Sequence, residues 1–351
     1  SRGSFPGLLP GPADPRLSPH HLGGVGHSAG VLRRRGLDVS ADNVAVSRAR
    51  TLKVYVGPQQ APELIDAVKG AGGQVCETSE AAEAIVWWGG SPQEYDSLHH
   101  DGIRWVQLPS AGVEGWFAAG VLRPGTTYTS AAGSYAETVA EHALALMLAG
   151  VRQLHTAARE RSWSQPTVGA LFDSTVGIVG CGGIGQALVR LLKPFRARVL
   201  AVTRSGFPVP GASRTARPDE LDSVLMASDI VVLGAPATPQ THHLIGAREL
   251  ALMRPHTWLV NIARGSLVDT DALVEALEKG TIGGAALDVT DPEPLPDDHP
   301  LWTQPRALIT PHSANPQRLM MRRLAERVAE NVNRYLHGEE LLGLIDLERG
   351  Y

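Results

Sequence analysis

Thr175-Val176-Gly177-Ile178-Val179-Gly180-Cys181-Gly182-Gly183-Ile184-Gly185-Gln186 is the stretch on which the fold turns. It reads as a buried strand, a glycine-rich turn and the opening of a helix that runs on through Ala187-Leu188-Val189-Arg190-Leu191-Leu192. Gly180, Gly182 and Gly185 form G-x-G-x-x-G. The first glycine permits the tight turn, the second lets the backbone approach a pyrophosphate, and the third lets helix and strand pack closely. Gly183 and Ile184 open the helix, whose unpaired N–H groups and positive dipole end face the phosphates. Glycine-rich turns are common, and alone the motif is as well read as a structural turn. Here a strand precedes it, a helix follows, and further strand-helix units come after, which points to a dinucleotide-binding domain.

The rest of the chain is consistent with that reading. At 351 residues it suits two domains, each large enough to bury a core. A content of 43% hydrophobic and 19% charged residues is that of an ordinary globular protein. The longest apolar run, Ala143 to Val151, is too short to span a bilayer. A net charge of −4 exerts no global pull toward nucleic acid or anionic membrane, and neither is expected as a partner. Cys76 and Cys181 lie far apart and form no metal or redox motif, which suits a reducing, cytoplasmic compartment. Cys181 sits inside the glycine turn, where it reads as a small side chain rather than a catalytic thiol.

Residues 1–50 differ from the remainder. They hold five prolines, eight glycines, no lysine, one aromatic residue (Phe5), and seven arginines against three acidic residues. No helical or strand period emerges, and the segment reads as a flexible extension. An Arg-rich, acid-poor leader fits a transit peptide, although the prolines argue against an amphipathic helix. His20, His21 and His27 read as solvated tail residues rather than a metal site.

From Leu52 strands alternate with helices, which implies a parallel sheet. Leu52–Val56, Gly73–Cys76, Ala84–Trp88 and Arg104–Leu108 read as strands and Pro62–Lys69 as a helix, with Trp87 and Trp88 in the core and crevice wall. Leu108-Pro109-Ser110-Ala111-Gly112-Val113-Glu114 then follows a strand end with small residues, suited to offering backbone N–H groups to an anion. Ser134-Tyr135-Ala136-Glu137 fits a capping box, opening a helix from Ala136 to about Glu160. Its apolar centre implies burial between domains or subunits, and His142 within it reads as a satisfied structural histidine. After Pro316 one amphipathic helix places Leu324, Val328, Val332 and Leu336 on one face and is expected to return to the first domain.

Three strand ends in the second half carry polar groups. Thr257–Ala263 runs into Arg264-Gly265, Gly284–Leu287 into Asp288-Val289 with Glu293 five residues on, and Ala307–Thr310 into Pro311-His312. Open parallel sheets bind ligands outside the carboxyl ends of their strands. Singly, such residues are usually solvated loop groups. Together, beside a dinucleotide fingerprint, they bring a cation, a carboxylate and an imidazole to one crevice, which is what reduction of a 2-oxo acid requires. Arg264 suits a planar two-pronged hold on a substrate carboxylate, and the amides of Ser110, Ala111, Gly112 and Val113 suit its other face. Hydride arriving at the carbonyl carbon makes an alkoxide. His312 is the natural acid to protonate it, with Glu293 stabilising the imidazolium.

Val176–Gln186, Asn261-Ile262-Ala263-Arg264-Gly265, Ala286–Val289 with Glu293-Pro294-Leu295, and Thr310-Pro311-His312 resemble the D-2-hydroxyacid dehydrogenase family; Pro236 and Thr241 also match its pattern. The likeness covers about 51–340 and is strongest from 130 onward. It implies catalytic Arg264, Glu293 and His312, and cofactor contacts from the glycine turn, Pro236, Thr241, Ile262, Ala263, Arg264, Asp288 and His312, with Asp288 near the nicotinamide carboxamide. It further implies two Rossmann-like α/β domains with parallel sheets. The dinucleotide domain (150–314) is inserted in a substrate-binding domain (51–149 plus 315–351), and the whole forms a homodimer. Where NAD-preferring folds place an acidic residue on the ribose, this chain has Arg204-Ser205, which favours NADP(H) over NAD(H), although an arginine stacking on adenine is an open alternative. The expected activity is interconversion of a small 2-oxo acid and a D-2-hydroxy acid, of the glyoxylate or hydroxypyruvate type. A nucleotide-sensing protein resembling the corepressors on this scaffold is the rival reading.

Overall fold

Short apolar runs closed by glycine or proline form the strands, and amphipathic segments between them form crossover helices, so both sheets come out entirely parallel. The computed structural model describes residues 51–350 except 164 and 166; the extension expected over 1–50, with its three histidines, lies outside the described residues. The first sheet contains β1 (Lys53–Pro58), β2 (Gln74–Cys76), β3 (Ala84–Trp88), β4 (Trp105–Gln107) and β5 (Thr127–Thr129), in the order β2-β1-β3-β4-β5. Its helices are α1 (Pro62–Gly70), α2 (Pro92–Leu98) and the short α3 (Glu114–Ala118). Trp87, Tyr95, Trp116 and Tyr128 form an edge-to-face aromatic core on this sheet.

Helix α4 (Ala136–Val151) leads away from that sheet, followed by a single turn, α5 (Leu154–Ala157). The second sheet contains β6 (Thr175–Val179), β7 (Arg198–Val202), β8 (Arg214–Ala216), β9 (Ile230–Leu233), β10 (Trp258–Asn261), β11 (Gly284–Leu287) and β12 (Ala307–Ile309). Their order is β12-β11-β10-β9-β6-β7-β8, so the order reverses between β6 and β9. Four helices accompany it: α6 (Gly183–Leu192), α7 (Leu221–Ala227), α8 (Ala247–Leu252) and α9 (Thr270–Lys279). The last helix, α10 (Gln317–His337), buries Leu324, Val328 and Val332 and packs on α1, with Leu336 partly buried. Asn331 on α10 donates to Gln107 Oε1 of β4 at 2.9 Å. The chain therefore leaves the five-stranded lobe, builds the seven-stranded one and returns, and the second lobe is inserted in the first.

Two local expectations are corrected. Ser134 does not cap α4: Tyr135 is the flanking residue, and the Ser134 hydroxyl finds no partner among the described residues. Glu137, which a capping box would turn back to the chain, pairs instead with Arg323 of α10 at 2.7 Å. The helix also ends at Val151 rather than near Glu160. Gln153 adopts φ +50°, and the Val151 carbonyl accepts a hydrogen bond from Gly169 N at 2.8 Å, a loop amide in place of the next helical one. The apolar face of α4 packs against α6, β10 and β11. Among the described residues no helix is long and apolar enough to cross a membrane.

Candidate active site

Register sets the site. Asn261 pairs with Leu287 and Leu287 with Ile309, so β10, β11 and β12 end level. Asp288 follows the end of β11 directly, and Arg264 and His312 lie three residues beyond the ends of β10 and β12. Neighbouring strands lie about 4.8 Å apart, so the three groups share one stretch of the carboxyl edge, the side on which open parallel sheets bind ligands.

His312 Nδ1 lies 2.6 Å from Glu293 Oε1. The histidine sits at φ +49°, a left-handed conformation that costs a non-glycine residue free energy. Its own N–H, donating to the Asp288 carbonyl at 2.8 Å and the Thr310 carbonyl at 3.0 Å, helps hold it there. The Asp288 carboxylate gathers the same loop. It accepts from Thr310 Oγ1 at 2.6 Å and from the amides of Ser313 and Ala314 at 2.9 and 3.1 Å, and His142 Nε2 lies 3.2 Å away. Burial pushes this carboxyl up, but His142, Thr310 and the two amides together outweigh it and hold the group at about 2. His142 also contacts Thr310 Oγ1 at 3.0 Å, so the histidine read as structurally satisfied is a strut between α4 and the His312 loop.

The loops carrying Arg264 and Glu293 interlock. A Cβ on Gly265 would fall 1.9 Å from the Thr290 carbonyl oxygen, and Thr290 N in turn donates to Glu293 Oε2 at 3.4 Å. Arg264 reaches the other lobe: its Nε lies 3.2 Å from Glu114 Oε1 and its Nη2 3.5 Å from Oε2, while Nη1 donates to the Ala263 carbonyl at 2.7 Å. A Cβ on Gly112 would sit 1.5 Å from Nη2, so the guanidinium fills the space a side chain there would need. The Ser110 hydroxyl donates to the Gly112 carbonyl at 2.6 Å and shapes this loop. The amides of Ala111, Gly112 and Val113 donate no hydrogen bond among the described residues, which leaves them to an anion or to water. The structure thus brings Ser110–Val113 and Arg264 together across the lobes. Glu114 was not singled out as a site residue from sequence; the only signal was its place at the end of that small-residue loop.

The glycine turn fits a dinucleotide. Gly180 takes φ +90°, and a Cβ there would meet Ala235 N at 2.3 Å, because the turns after β6 and β9 abut where the strand order reverses. Gly182 is the opposite case: a Cβ there would meet nothing within 4 Å. It flanks the start of α6 without a side-chain cap, which leaves the first-turn amides available to an anion. Burial pushes the Cys181 thiol up to about 11, in keeping with a packing role. Around the turn, Thr241 Oγ1 donates to the Pro236 carbonyl at 2.7 Å and closes the loop after β9. Ile262 and Ala263 are buried beyond β10. Arg204 and Ser205 follow β7, where Ser205 Oγ accepts from Phe207 N at 3.2 Å.

Comparison with known proteins agrees with this geometry. Residues 143–314 match the family model for the NAD binding domain of D-isomer specific 2-hydroxyacid dehydrogenases. The chain is 40% identical over 291 residues to a Corynebacterium melassecola protein called "Uncharacterized protein in proB 3'region", covering 81% of this chain and 95% of that one. It is 35% identical over 258 residues to the glyoxylate reductase of Thermococcus gammatolerans, covering 70% of this chain and 77% of the other. The crystal structure of a D-isomer specific 2-hydroxyacid dehydrogenase from Xanthobacter autotrophicus Py2, in complex with NADPH and MES, superposes with a TM-score of 0.75 at 27% identity, over 86% of this chain and 99% of that one. With its inserted dinucleotide-binding lobe and its polar groups at the ends of β10, β11 and β12, the chain belongs to the D-isomer specific 2-hydroxyacid dehydrogenase family of oxidoreductases.

Proposed function

We propose that the protein interconverts a small 2-oxo acid and the corresponding D-2-hydroxy acid, with glyoxylate- or hydroxypyruvate-type substrates. The observation that carries this reading is the meeting, at one carboxyl edge, of the His312–Glu293 pair and an Arg264 that touches the Ser110–Val113 loop. A bound reduced nicotinamide dinucleotide supplies the hydride. Arg264 holds the substrate carboxylate, and the open amides of Ala111, Gly112 and Val113 lie beside it. With Nδ1 taken by Glu293, Nε2 of His312 is the nitrogen left to face substrate. In reduction the imidazolium gives its proton to the carbonyl oxygen; in oxidation the neutral ring takes the hydroxyl proton. Asp288 and His142 act one step back, by fixing the loop from which His312 projects.

The preferred dinucleotide is NADP(H). Arg204 stands at the end of β7, where an acidic residue would repel a 2′-phosphate. The working form is a homodimer in the cytoplasm. The segment between α5 and β6 leaves Trp163 96% exposed and Phe172 53% exposed, apolar groups that a second copy would cover. The family members named above support an enzyme over a nucleotide sensor. The test is turnover of a panel of 2-oxo acids with NADH and with NADPH, followed by loss of reduced-nicotinamide absorbance, with sedimentation to read the assembly. Tight dinucleotide binding with negligible turnover of every acid would sink the enzymatic reading. Equal efficiency with both dinucleotides would sink the cofactor preference.

A further inference from the structure

Arg264 already carries a carboxylate. Its Nε and Nη2 edge faces both oxygens of Glu114, at 3.2 and 3.5 Å, and one N–H of Nη1 is taken by the Ala263 carbonyl at 2.7 Å. A guanidinium has five N–H groups, so one remains on each terminal nitrogen. Glu114 is the first residue of α3 and follows the Ser110–Val113 loop. The pair is roughly one-third exposed on each side, at 34% and 37%. It is neither a buried structural bridge nor a freely solvated one.

We infer that Glu114 is a specificity-determining residue that makes the site select 2-oxo acids with one carboxylate and an uncharged side group. The inference rests on the reading that Arg264 holds the substrate carboxylate. Glu114 orients the guanidinium by occupying its Nε edge, which leaves the terminal edge for a single substrate carboxylate. The complex of Arg264, Glu114 and one substrate carboxylate then carries a net charge of about −1 by formal count. A second anionic group on the substrate enters a field already negative, to which the Glu114 carboxylate contributes. Like-charge repulsion of this kind discriminates by exclusion rather than by extra contacts. Because the pair is partly solvated, the effect is screened by salt.

The experiment uses the full chain and two acids of similar length, 2-oxobutyrate and oxaloacetate, which differ by a terminal methyl against a terminal carboxylate. Each is read as a competitor of glyoxylate reduction, so the measurement serves substrates and non-substrates alike. In the unmodified protein 2-oxobutyrate should bind at least about tenfold more tightly than oxaloacetate at low salt, with the ratio shrinking as salt rises. Glu114→Gln keeps the size and an acceptor oxygen but removes the charge; it should bring the ratio to within about threefold and abolish its salt dependence. Glu114→Asp should restore most of the discrimination. If Glu114→Gln weakens both acids equally and leaves the ratio and its salt dependence intact, Glu114 only props Arg264 and the inference fails. It fails likewise if 2-oxobutyrate does not compete. If no oxo acid is reduced at all, or if Arg264→Lys is as efficient as the unmodified protein, the underlying reading of Arg264 falls, and this inference falls with it.

Discussion

Each sheet has a strand-to-helix turn where its strand order reverses, and the two turns have opposite characters. After β6 the chain makes the glycine turn: Gly180 at φ +90° lies tight against Ala235, and Gly182 faces open space. After β1, which ends at Pro58, the chain passes through Gln59 and Gln60 before α1 opens at Pro62, with Ala61 flanking it. There Gln59 fills the corner, since a Cβ on Gly89 would lie 2.2 Å from its Cδ. One turn presents amides to a ligand, and the other is closed by side chains. The edges differ as well. The ends of β10, β11 and β12 lead to Arg264, Asp288, Glu293 and His312, whereas the five-stranded sheet directs an aromatic core inward and contributes one loop and one carboxylate, Glu114. The same parallel architecture carries the match to an NAD binding domain in one lobe and, on our proposal, forms a wall for the substrate in the other. Local turn chemistry, more than fold, makes the difference.

The comparison predicts its largest effect at Gly182. The Cβ of Gly182→Val meets nothing within 4 Å, so the variant should fold with a melting temperature close to the unmodified one but lose dinucleotide affinity by at least about 100-fold, as read by calorimetric titration. Gly180→Val should fail to fold, because its side chain would displace the Ala235 backbone. If Gly182→Val binds normally, the glycine turn is not the platform.

Next comes the charged edge. Arg264→Lys keeps the charge and loses the fork, and kcat/KM toward 2-oxo acids should drop about 100-fold with dinucleotide affinity unchanged. Similar efficiency toward every accepted acid would remove Arg264 from the site.

Asp288 should give a smaller effect, on stability. Its carboxyl is lowered from 3.8 to about 2 in the fold, so the stabilisation is fully present above about pH 4 and lost as pH falls toward 2. A shift of that size corresponds to about 2 kcal/mol. Asp288→Asn should unfold at lower denaturant at neutral pH, and its stability should fall less steeply between pH 4 and 2. Parallel pH profiles for the two proteins would show that Asp288 is not the group being titrated. The smallest effect is expected at the closed turn: Gln59→Ala should leave dinucleotide affinity within about twofold of the unmodified value. A large loss would show that the first lobe also reads the dinucleotide.

Much of this molecule was determined by sequence alone. The strand, turn and helix of 175–192 follow from local rules, since a glycine's φ and an exposed helix start depend on neighbours in the chain. The alternation of apolar runs with amphipathic segments likewise implied a parallel sheet, the family resemblance implied a second one, and an apolar face implied the return of the last helix. Only tertiary structure decided how the polar strand ends combine. That Arg264 meets Gly112 and Glu114 depends on how two lobes close on one another, and residues 150 positions apart leave no periodic trace of such a contact. The cap expected at Ser134 failed for the same reason: Arg323, distant in sequence, took the carboxylate that the local motif required. His142 gained its place beside Asp288 and Thr310 because α4 packs over β10 and β11, a matter of packing geometry that its own apolar surroundings in the chain do not encode. Motifs made by consecutive residues are legible because their physics is local. Charges that pair across a crevice become legible only once the backbone has brought them within a few ångströms, where Coulombic and hydrogen-bond energies are large enough to matter.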